Sequence, residues 1–241
     1  VNDVLDMNKL ESGEIVLTKE PFCLSKLLME VDSVIEMQAN ESGVDYIKAP
    51  LNIENDHLIG SSLHIKQILQ NIVSNAVKYN KRGGYVRVSC TENRIDEKNI
   101  MFEFVCTDNG QGMSEDFQKK AFEPFAQEKT RARTTYAGTG LGLAISKKLT
   151  VQMGGTIEFI SRQGYGTTFY VKIPFEIDDS YESRQQEIAA DEKIRLDGNK
   201  IIIAEDNELN MEIARFIIEG AGAQVMPAVN GEEAVKIFET S

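Results

Sequence analysis

Residues 64–80, HIKQILQNIVSNAVKYN, carry Asn71 and Asn75 one helical turn apart, where a solvated helix face ordinarily carries Glu, Lys or Arg. On a wheel of about 100° per residue, His64, Gln67, Asn71, Asn75 and Lys78 fall within roughly 80° of arc. Ile65, Ile68, Leu69, Ile72 and Ala76 fall opposite them as a core-facing stripe. Asparagine offers a carbonyl oxygen and an amide donor. A row of them can hold a metal ion through oxygen and a phosphate through nitrogen. A plain wet helix face is the other reading of the same row.

Three further stretches carry chemistry-bearing residues. In CTDNGQGM, Asp108 follows the apolar run Phe102–Val105, where a carboxylate at a strand end can accept a hydrogen bond from an exocyclic amine. Gly110 and Gly112 permit a tight turn with close backbone approach, although Asp-Asn-Gly is also a common plain turn. In AGTGLGLAIS, Gly138, Gly140 and Gly142 lead into an apolar helix whose first N–H groups could cradle phosphate. The run is neither a Rossmann fingerprint, because no strand precedes it and no ribose-binding acid follows at the usual distance, nor a Walker loop, because Gly-Lys-Ser/Thr is absent from the chain. In FEPFAQEKTRARTTYAGTG, Phe122 and Phe125 flank a proline turn, and Lys129, Arg131 and Arg133 concentrate positive charge. A basic loop beside a glycine-rich helix start fits a lid over phosphates; an ordinary solvated loop is the alternative.

The patterning predicts the elements that would hold these residues. Residues 1–12 read as the end of a helix, Glu14–Thr18 as a short strand, and Ser25–Ser42 as a helix closed by Gly43. Short strands follow around Ile53 and at His57–Ile59, then a long helix from Ser62 to Tyr79 and a turn at Lys81–Gly84. YVRVSCTE and IMFEFVCTD read as a hairpin, Asn109–Thr139 as loop, Gly140–Gln152 as helix, and TIEFIS with TTFYVKIP as a last hairpin. Residues 176–197 are charged and nearly free of bulky apolar side chains, the composition of a linker. Beyond them KIIIAEDN, a helix at Met211–Glu219, a strand at Gln224–Val229 and a last helix give a βαβα order, the signature of a separate parallel α/β unit.

The chain's 241 residues suffice for a sizeable core, and 41% of them are hydrophobic. With 26 Lys+Arg against 38 Asp+Glu the net charge is −12, which argues against a nucleic-acid partner and against binding to an anionic membrane, but leaves room for one cationic pocket. Cys23, Cys90 and Cys106 are far apart and odd in number, and read as reduced thiols of a cytoplasmic protein. No apolar stretch approaches the length of a membrane span. Both ends fall in helical patterns, so the chain reads as a piece of a longer protein, whose other parts could carry an inner-membrane anchor.

Taken together, the motifs resemble those of the GHKL ATPase superfamily and, within it, the sensor histidine kinases. HIKQILQNIVSNAVKYN is similar to the asparagine box, DNGQGM to the first glycine box, FEPF to the phenylalanine box and GTGLGL to the second glycine box; GGTIEF and GYGTTFYVKIP resemble the closing hairpin. The resemblance covers residues 14–175. Gyrase-, Hsp90- and mismatch-repair-type ATPases share the fold but lack the FEPF–GTGLGL pairing. Gln111, and Ala137 in place of a frequent glycine, depart from the pattern without breaking it.

The resemblance implies an α/β fold of the GHKL (Bergerat) kind, an α+β two-layer sandwich, binding ATP and Mg²⁺. It implies that Asn71 coordinates Mg²⁺ and that Asn75, Lys78 and Tyr79 contact phosphates and the nucleotide edge. Asp108 would hydrogen-bond the adenine amino group. Gly110, Gly112, Phe125, Gly138, Thr139, Gly140 and Gly142 would shape pocket and lid, Arg133 would steady the γ-phosphate, and Leu141 would close over the nucleotide. Asn71, Lys78 and Arg133 would be the catalytic set.

Residues 1–13 resemble the end of a dimerisation and phosphoacceptor hairpin, whose acceptor histidine is neither His57 nor His64. Residues 198–241 resemble the start of a receiver domain, a doubly wound flavodoxin-like α/β fold, with Glu205 and Asp206 matching its Mg²⁺-binding acids. The acceptor aspartate at the end of the third strand is not reached, so this unit is expected to be poorly ordered or packed on a neighbour. The implied function is transfer of the ATP γ-phosphoryl group to a histidine outside the chain, in the phosphorelay of a hybrid kinase. Implied partners are the parent homodimer's helical hairpin and a downstream receiver or phosphotransfer domain. A non-catalytic nucleotide-sensing module on the same fold is the rival reading.

Overall fold

The computed structural model describes residues 5, 7, 8, 12, 16–51, 53–128, 139–181 and 196–240. Two compact units divide the chain, Val1–Asp179 and Ser180–Ser241.

The first unit is a mixed sheet with three long helices packed against it. Its strands are β1 (Glu20–Cys23), β2 (Asp45–Lys48), β3 (His57–Gly60), β4 (Tyr85–Arg94), β5 (Asn99–Asp108), β6 (Thr156–Arg162) and β7 (Gly166–Ile177). Its helices are α1 (Leu24–Ser42), α2 (Ser62–Lys78), the single turn α3 (Glu115–Gln118) and α4 (Gly142–Gln152). The strand order is β1-β3-β7-β5-β4-β2, with β6 beside the first half of β7. All pairings are antiparallel except β2 on β4.

Alternation along β4, β5 and β7 turns Val86, Val88, Cys90, Ile100, Phe102, Phe104, Cys106, Phe169, Val171, Ile173 and Phe175 to one face. The apolar stripe of α2 (Ile65, Ile68, Leu69 and Ile72, all fully buried, with Ala76) packs into the same core, flanked by α1 and α4. This stripe is the one expected from the helical wheel. Its burial turns the asparagine row away from the densest packing, so that Asn71 and Asn75 stay half-buried.

Four boundaries differ from the sequence expectations. Residues 16–19 form no strand; the first strand is Glu20–Cys23, paired with His57–Gly60. The segment around Ile53 is not a strand, whereas Asp45–Lys48 is one, held by its parallel ladder on β4. Helix α4 starts at Gly142 rather than Gly140, because Gly140 adopts φ 72°, outside the helical region. Strand β7 runs to Ile177, into the stretch of linker composition, because Glu176 and Ile177 pair with Ile59 and Leu58. Leu5, Met7 and Asn8 are helical, and Met7 is buried in the core.

The second unit has the expected βαβα order: β8 (Lys200–Ala204), α5 (Glu208–Gly220), β9 (Gln224–Ala228) and α6 (Gly231–Thr240). The two strands are parallel and form a sheet of their own. Asn207 caps α5 through its side-chain oxygen, which accepts from the N–H groups of Leu209 and Asn210. Leu209, Ile213, Phe216, Ile217, Val235 and Phe238 are exposed, so neither amphipathic helix buries its apolar stripe. The unit is regular in its described residues and leaves these apolar helix faces unburied.

The three thiols are free; Cys90 and Cys106 are buried in β4 and β5, and burial pushes the Cys90 thiol up to about 12. Among the described residues no helix is long and apolar enough to cross a membrane.

Candidate nucleotide-binding site

Helix α2 brings the sequence motifs together along its length. At its middle, the Asn71 side-chain amide Nδ2 donates to the carbonyl of Gly142 (3.3 Å) and to Ser146 Oγ (3.4 Å). Ser146 is fully buried and donates in turn to Gly142 O over 2.9 Å. A backbone carbonyl can only accept, so Nδ2 must face Gly142 and Oδ1 must face away. No protein hydrogen bond reaches Oδ1 among the described residues. The first residue of α4 thus lies against the asparagine row, and the residue before it, Leu141, has no side chain that could cap the helix start. The first N–H groups of a helix and its dipole favour an anion.

At the C-terminal end of α2, the Asp108–Met113 loop packs on Tyr79 and Asn80. Gln111 N–H donates to Tyr79 O over 3.1 Å. Gly110 is buried, and a Cβ on it would lie 2.5 Å from Tyr79 O. Asn80 Nδ2 donates to Tyr85 O (2.9 Å), while Tyr85 N–H donates to Asn109 Oδ1 (2.7 Å). These two asparagines lock the loop to the start of β4. Neither tie was legible in the sequence, because Asn80 and Asn109 each read as turn composition. Lys78 Nζ lies over the Tyr79 ring, 5.0 Å from its centroid. The Asn75 side chain adds to the same face of α2.

Asp108 ends β5, in register with Val86 of β4. Burial pushes its carboxyl above the usual carboxylate range, against the lowering effect of the Gly110 and Thr167 backbone N–H groups. Gly110 N–H donates to Asp108 Oδ1 over 2.8 Å. Gly112 has φ 62°, and a Cβ there would lie 2.1 Å from the carbonyl oxygen of Arg162, so only glycine fits against the β6–β7 turn.

The phenylalanines separate in role. Phe122 packs against the core, its ring 5.5 Å from that of Phe159, with Lys147 Nζ 5.4 Å from its centroid. Phe125 is exposed and holds φ 62°, a left-handed conformation unusual for a bulky residue, and Gly140 packs over the backbone of Phe125 and Ala126. Thr139 Oγ1 accepts from Leu141 N–H over 3.3 Å. Leu141, the residue just before α4, is fully buried and belongs to the same core cluster as Ile145 and Leu149. Lys129, Arg131, Arg133 and Gly138 lie outside the described residues.

The sequence profile of the family described as "Histidine kinase-, DNA gyrase B-, and HSP90-like ATPase" matches residues 60–177, which span every motif just placed around α2. Residues 60–177 are thus similar to the ATPase domain that histidine kinases, DNA gyrase B and HSP90 share. The mixed sheet with its helices matches the GHKL ATP-binding fold.

The chain is similar to the aerobic respiration control sensor protein ArcB of Escherichia coli K12, with 31% identity over 99% of this chain and 30% of ArcB. It is 33% identical to the signal transduction histidine-protein kinase BarA of the same organism, over 73% of this chain and 19% of BarA. Full-length ShkA, solved in complex with AMPPNP, is 27% identical and has a TM-score of 0.61, over 98% of this chain and 46% of that one. The chain thus spans less than a third of the length of ArcB or BarA.

In the second unit, Glu205 Oε1 accepts from Asn207 N–H (3.2 Å) and Asn210 Nδ2 (3.1 Å). Asp206 is exposed beside it. Among the described residues no group of three His, Cys, Asp or Glu side chains is placed to hold a metal ion.

Proposed function

We propose that the whole protein is an ATP-dependent protein-histidine kinase of the hybrid kind. Its ATPase domain binds Mg·ATP along α2, and the γ-phosphoryl group passes to a histidine outside this chain. The observation that carries this reading is the meeting of three motifs on one helix: Asn71 against Gly142 at its middle, and Tyr79 against Gly110 at its end. That arrangement sets the start of α4 against the middle of α2 and the Asp108 loop against its C-terminal end. ShkA, crystallised with AMPPNP, has the same fold at 27% identity.

In this reading Asn71 Oδ1 is a Mg²⁺ ligand. The fit is chemical: Mg²⁺ takes hard oxygen donors and keeps most of its shell as water and phosphate, so one oriented carbonyl oxygen suffices. Bound Mg²⁺ would neutralise charge on the phosphates. Asn75, Lys78 and Tyr79 contact the phosphates and the nucleotide edge, and Arg133 of the lid steadies the γ-phosphate. Asp108 accepts from the adenine amino group. Gly110, Gly112, Phe125, Gly138, Thr139, Gly140 and Gly142 shape the pocket and its lid. What the protein supplies to phosphoryl transfer is mainly position and charge.

The acceptor histidine would sit on the helical hairpin of a homodimeric parent, and residues 198–241 would be the first half of a receiver with Glu205 and Asp206 at an incomplete Mg²⁺ site. Their βαβα order and parallel β8–β9 pair support that reading. Calorimetric titration with ATP, with and without Mg²⁺, tests binding. Incubation with labelled ATP and a parent hairpin bearing the histidine tests transfer. Absence of acid-labile phosphohistidine despite ATP binding would sink the kinase reading.

A further inference from the structure

The structure points to Ser161 as a positioning residue for nucleotide recognition, holding together the two walls on either side of Asp108; this inference rests on the nucleotide reading of that site. Ser161 lies in β6, outside every glycine and asparagine motif. Its hydroxyl accepts from Met113 N–H (2.9 Å), sits 2.9 Å from Thr167 Oγ1, and donates to Gly166 O over 3.2 Å. A serine hydroxyl has one hydrogen and two lone pairs. Met113 N–H can only donate and Gly166 O can only accept, so Thr167 must supply the remaining donor. All three capacities are then used, and the hydroxyl has no rotational freedom left.

The partners are what give this knot its reach. Met113 ends the loop that begins at Asp108. Gly166 and Thr167 open β7, where a Cβ on Gly166 would lie 2.0 Å from Asp108 O and 2.8 Å from Asn109 Cα. One hydroxyl therefore ties the chain leaving Asp108 to the strand lying across Asp108. Gln118 of α3 reinforces the crossing, its Nε2 donating to Met113 O (2.9 Å) and to Ser161 O (3.2 Å). Ser161 does not touch the carboxylate itself. Removing its hydroxyl frees the Gly110–Met113 loop and β7 to shift apart, so that Asp108 keeps its chemistry but loses its aim.

The test compares Ser161→Ala, Ser161→Thr and Asp108→Asn in the 241-residue protein, with ATP and GTP affinities and thermal midpoints measured for each. Ser161→Ala is expected to weaken ATP about fivefold to tenfold and to lower the ATP-to-GTP affinity ratio, with recovery in Ser161→Thr, which keeps a hydroxyl. Unchanged ATP affinity in Ser161→Ala overturns the inference. So does an equal loss for ATP and GTP in step with a lower thermal midpoint, which marks a merely structural role. If the unsubstituted protein binds ATP and Asp108→Asn weakens it while Ser161→Ala does not, this inference alone fails. If Asp108→Asn binds ATP normally, the nucleotide reading of the site fails with it.

Discussion

The Asn71 side-chain amide donates to the carbonyl oxygen of Gly142 over 3.3 Å, joining the middle of α2 to the first residue of α4. This one contact sets which end of the amide faces α4. Asn71→Ala removes both the tie and the free oxygen. We expect Mg²⁺-dependent ATP affinity to fall at least about tenfold, with a stability loss of roughly 0.5–1.5 kcal/mol for the lost hydrogen bonds. Calorimetry with and without Mg²⁺ separates the effects: an equal drop in both titrations would remove Asn71 from the metal site.

Asp108→Asn should separate stability from binding. The folded-state pKa is raised, so the carboxyl favours the folded state only in its protonated form. That contribution is present below the unfolded value of about 3.9 and is lost as pH rises through the folded one. Near pH 7 the buried charge is therefore a cost that asparagine does not carry. The variant is expected to melt no lower than the unsubstituted protein at pH 7, with any advantage fading toward pH 3, while ATP binding weakens. A clear drop in melting temperature at pH 7 would contradict the account.

Asp56 caps α1 from outside the helix. Its Oδ1 accepts from Ser25 N–H (2.6 Å) and its Oδ2 from the Ser25 hydroxyl (2.7 Å) and the Cys23 thiol (3.2 Å). Burial raises its pKa, but the Ser25 and Cys23 hydrogen bonds outweigh that and hold it below the usual carboxylate range. The sign is opposite to that of Asp108: the stabilisation is present above the unfolded pKa and lost as pH falls through the folded one. Asp56→Ala should cost about 0.5–2 kcal/mol at pH 7, as for loss of a helix cap. In urea titrations the difference from the unsubstituted protein should shrink below about pH 4.

Gly112→Ala forces a side chain into a left-handed position and against Arg162 O at 2.1 Å. The backbone term alone is about 1–2 kcal/mol, and the clash adds to it. We expect both a lower melting temperature and weaker ATP binding, whereas Gly164→Ala, whose Cβ would meet nothing within 4 Å, should carry the backbone term alone. Equal behaviour of the two variants would show that the Gly112–Arg162 approach is not needed.

Strand β8 has a single partner, β9, and the helices beside it leave Phe216 and Phe238 exposed. A two-stranded sheet whose buried face is this small, with Val225 and Ala228 its buried side chains, is marginal in water. In hydrogen exchange, amides of Ile201–Ile203 should therefore exchange well before those of Phe102–Cys106, which lie between β4 and β7. Comparable protection in both strands would mean that the second unit is stable without further partners.

Much of this protein was readable from local pattern. The stripe Ile65, Ile68, Leu69 and Ile72 marks α2 and its buried side, since helix periodicity is a property of neighbours in sequence. The hairpins of β4 with β5 and β6 with β7 were legible for the same reason, while Asn71, Asp108 and the glycines stood out only as candidates. Strand β2 was not, because Asp45–Lys48 has no alternating apolar pattern and owes its conformation to a parallel ladder on β4. The end of β7 was hidden in the same way: Glu176 and Ile177 have the composition of a linker but pair with β3.

Side-chain direction was decided only by the tertiary structure. Sequence alone does not distinguish the core-packed Phe122 from the exposed Phe125, nor show that Leu141 packs inward. It cannot say which end of the Asn71 amide faces Gly142, because that depends on a carbonyl 71 residues away in the chain. Nor does it reveal Ser161, whose partners lie 48 residues before it and 5–6 after it and meet only when β6 folds along β7. Residue types and local spacing specify what chemistry is available. Long-range hydrogen bonds and packing decide where each atom of that chemistry points.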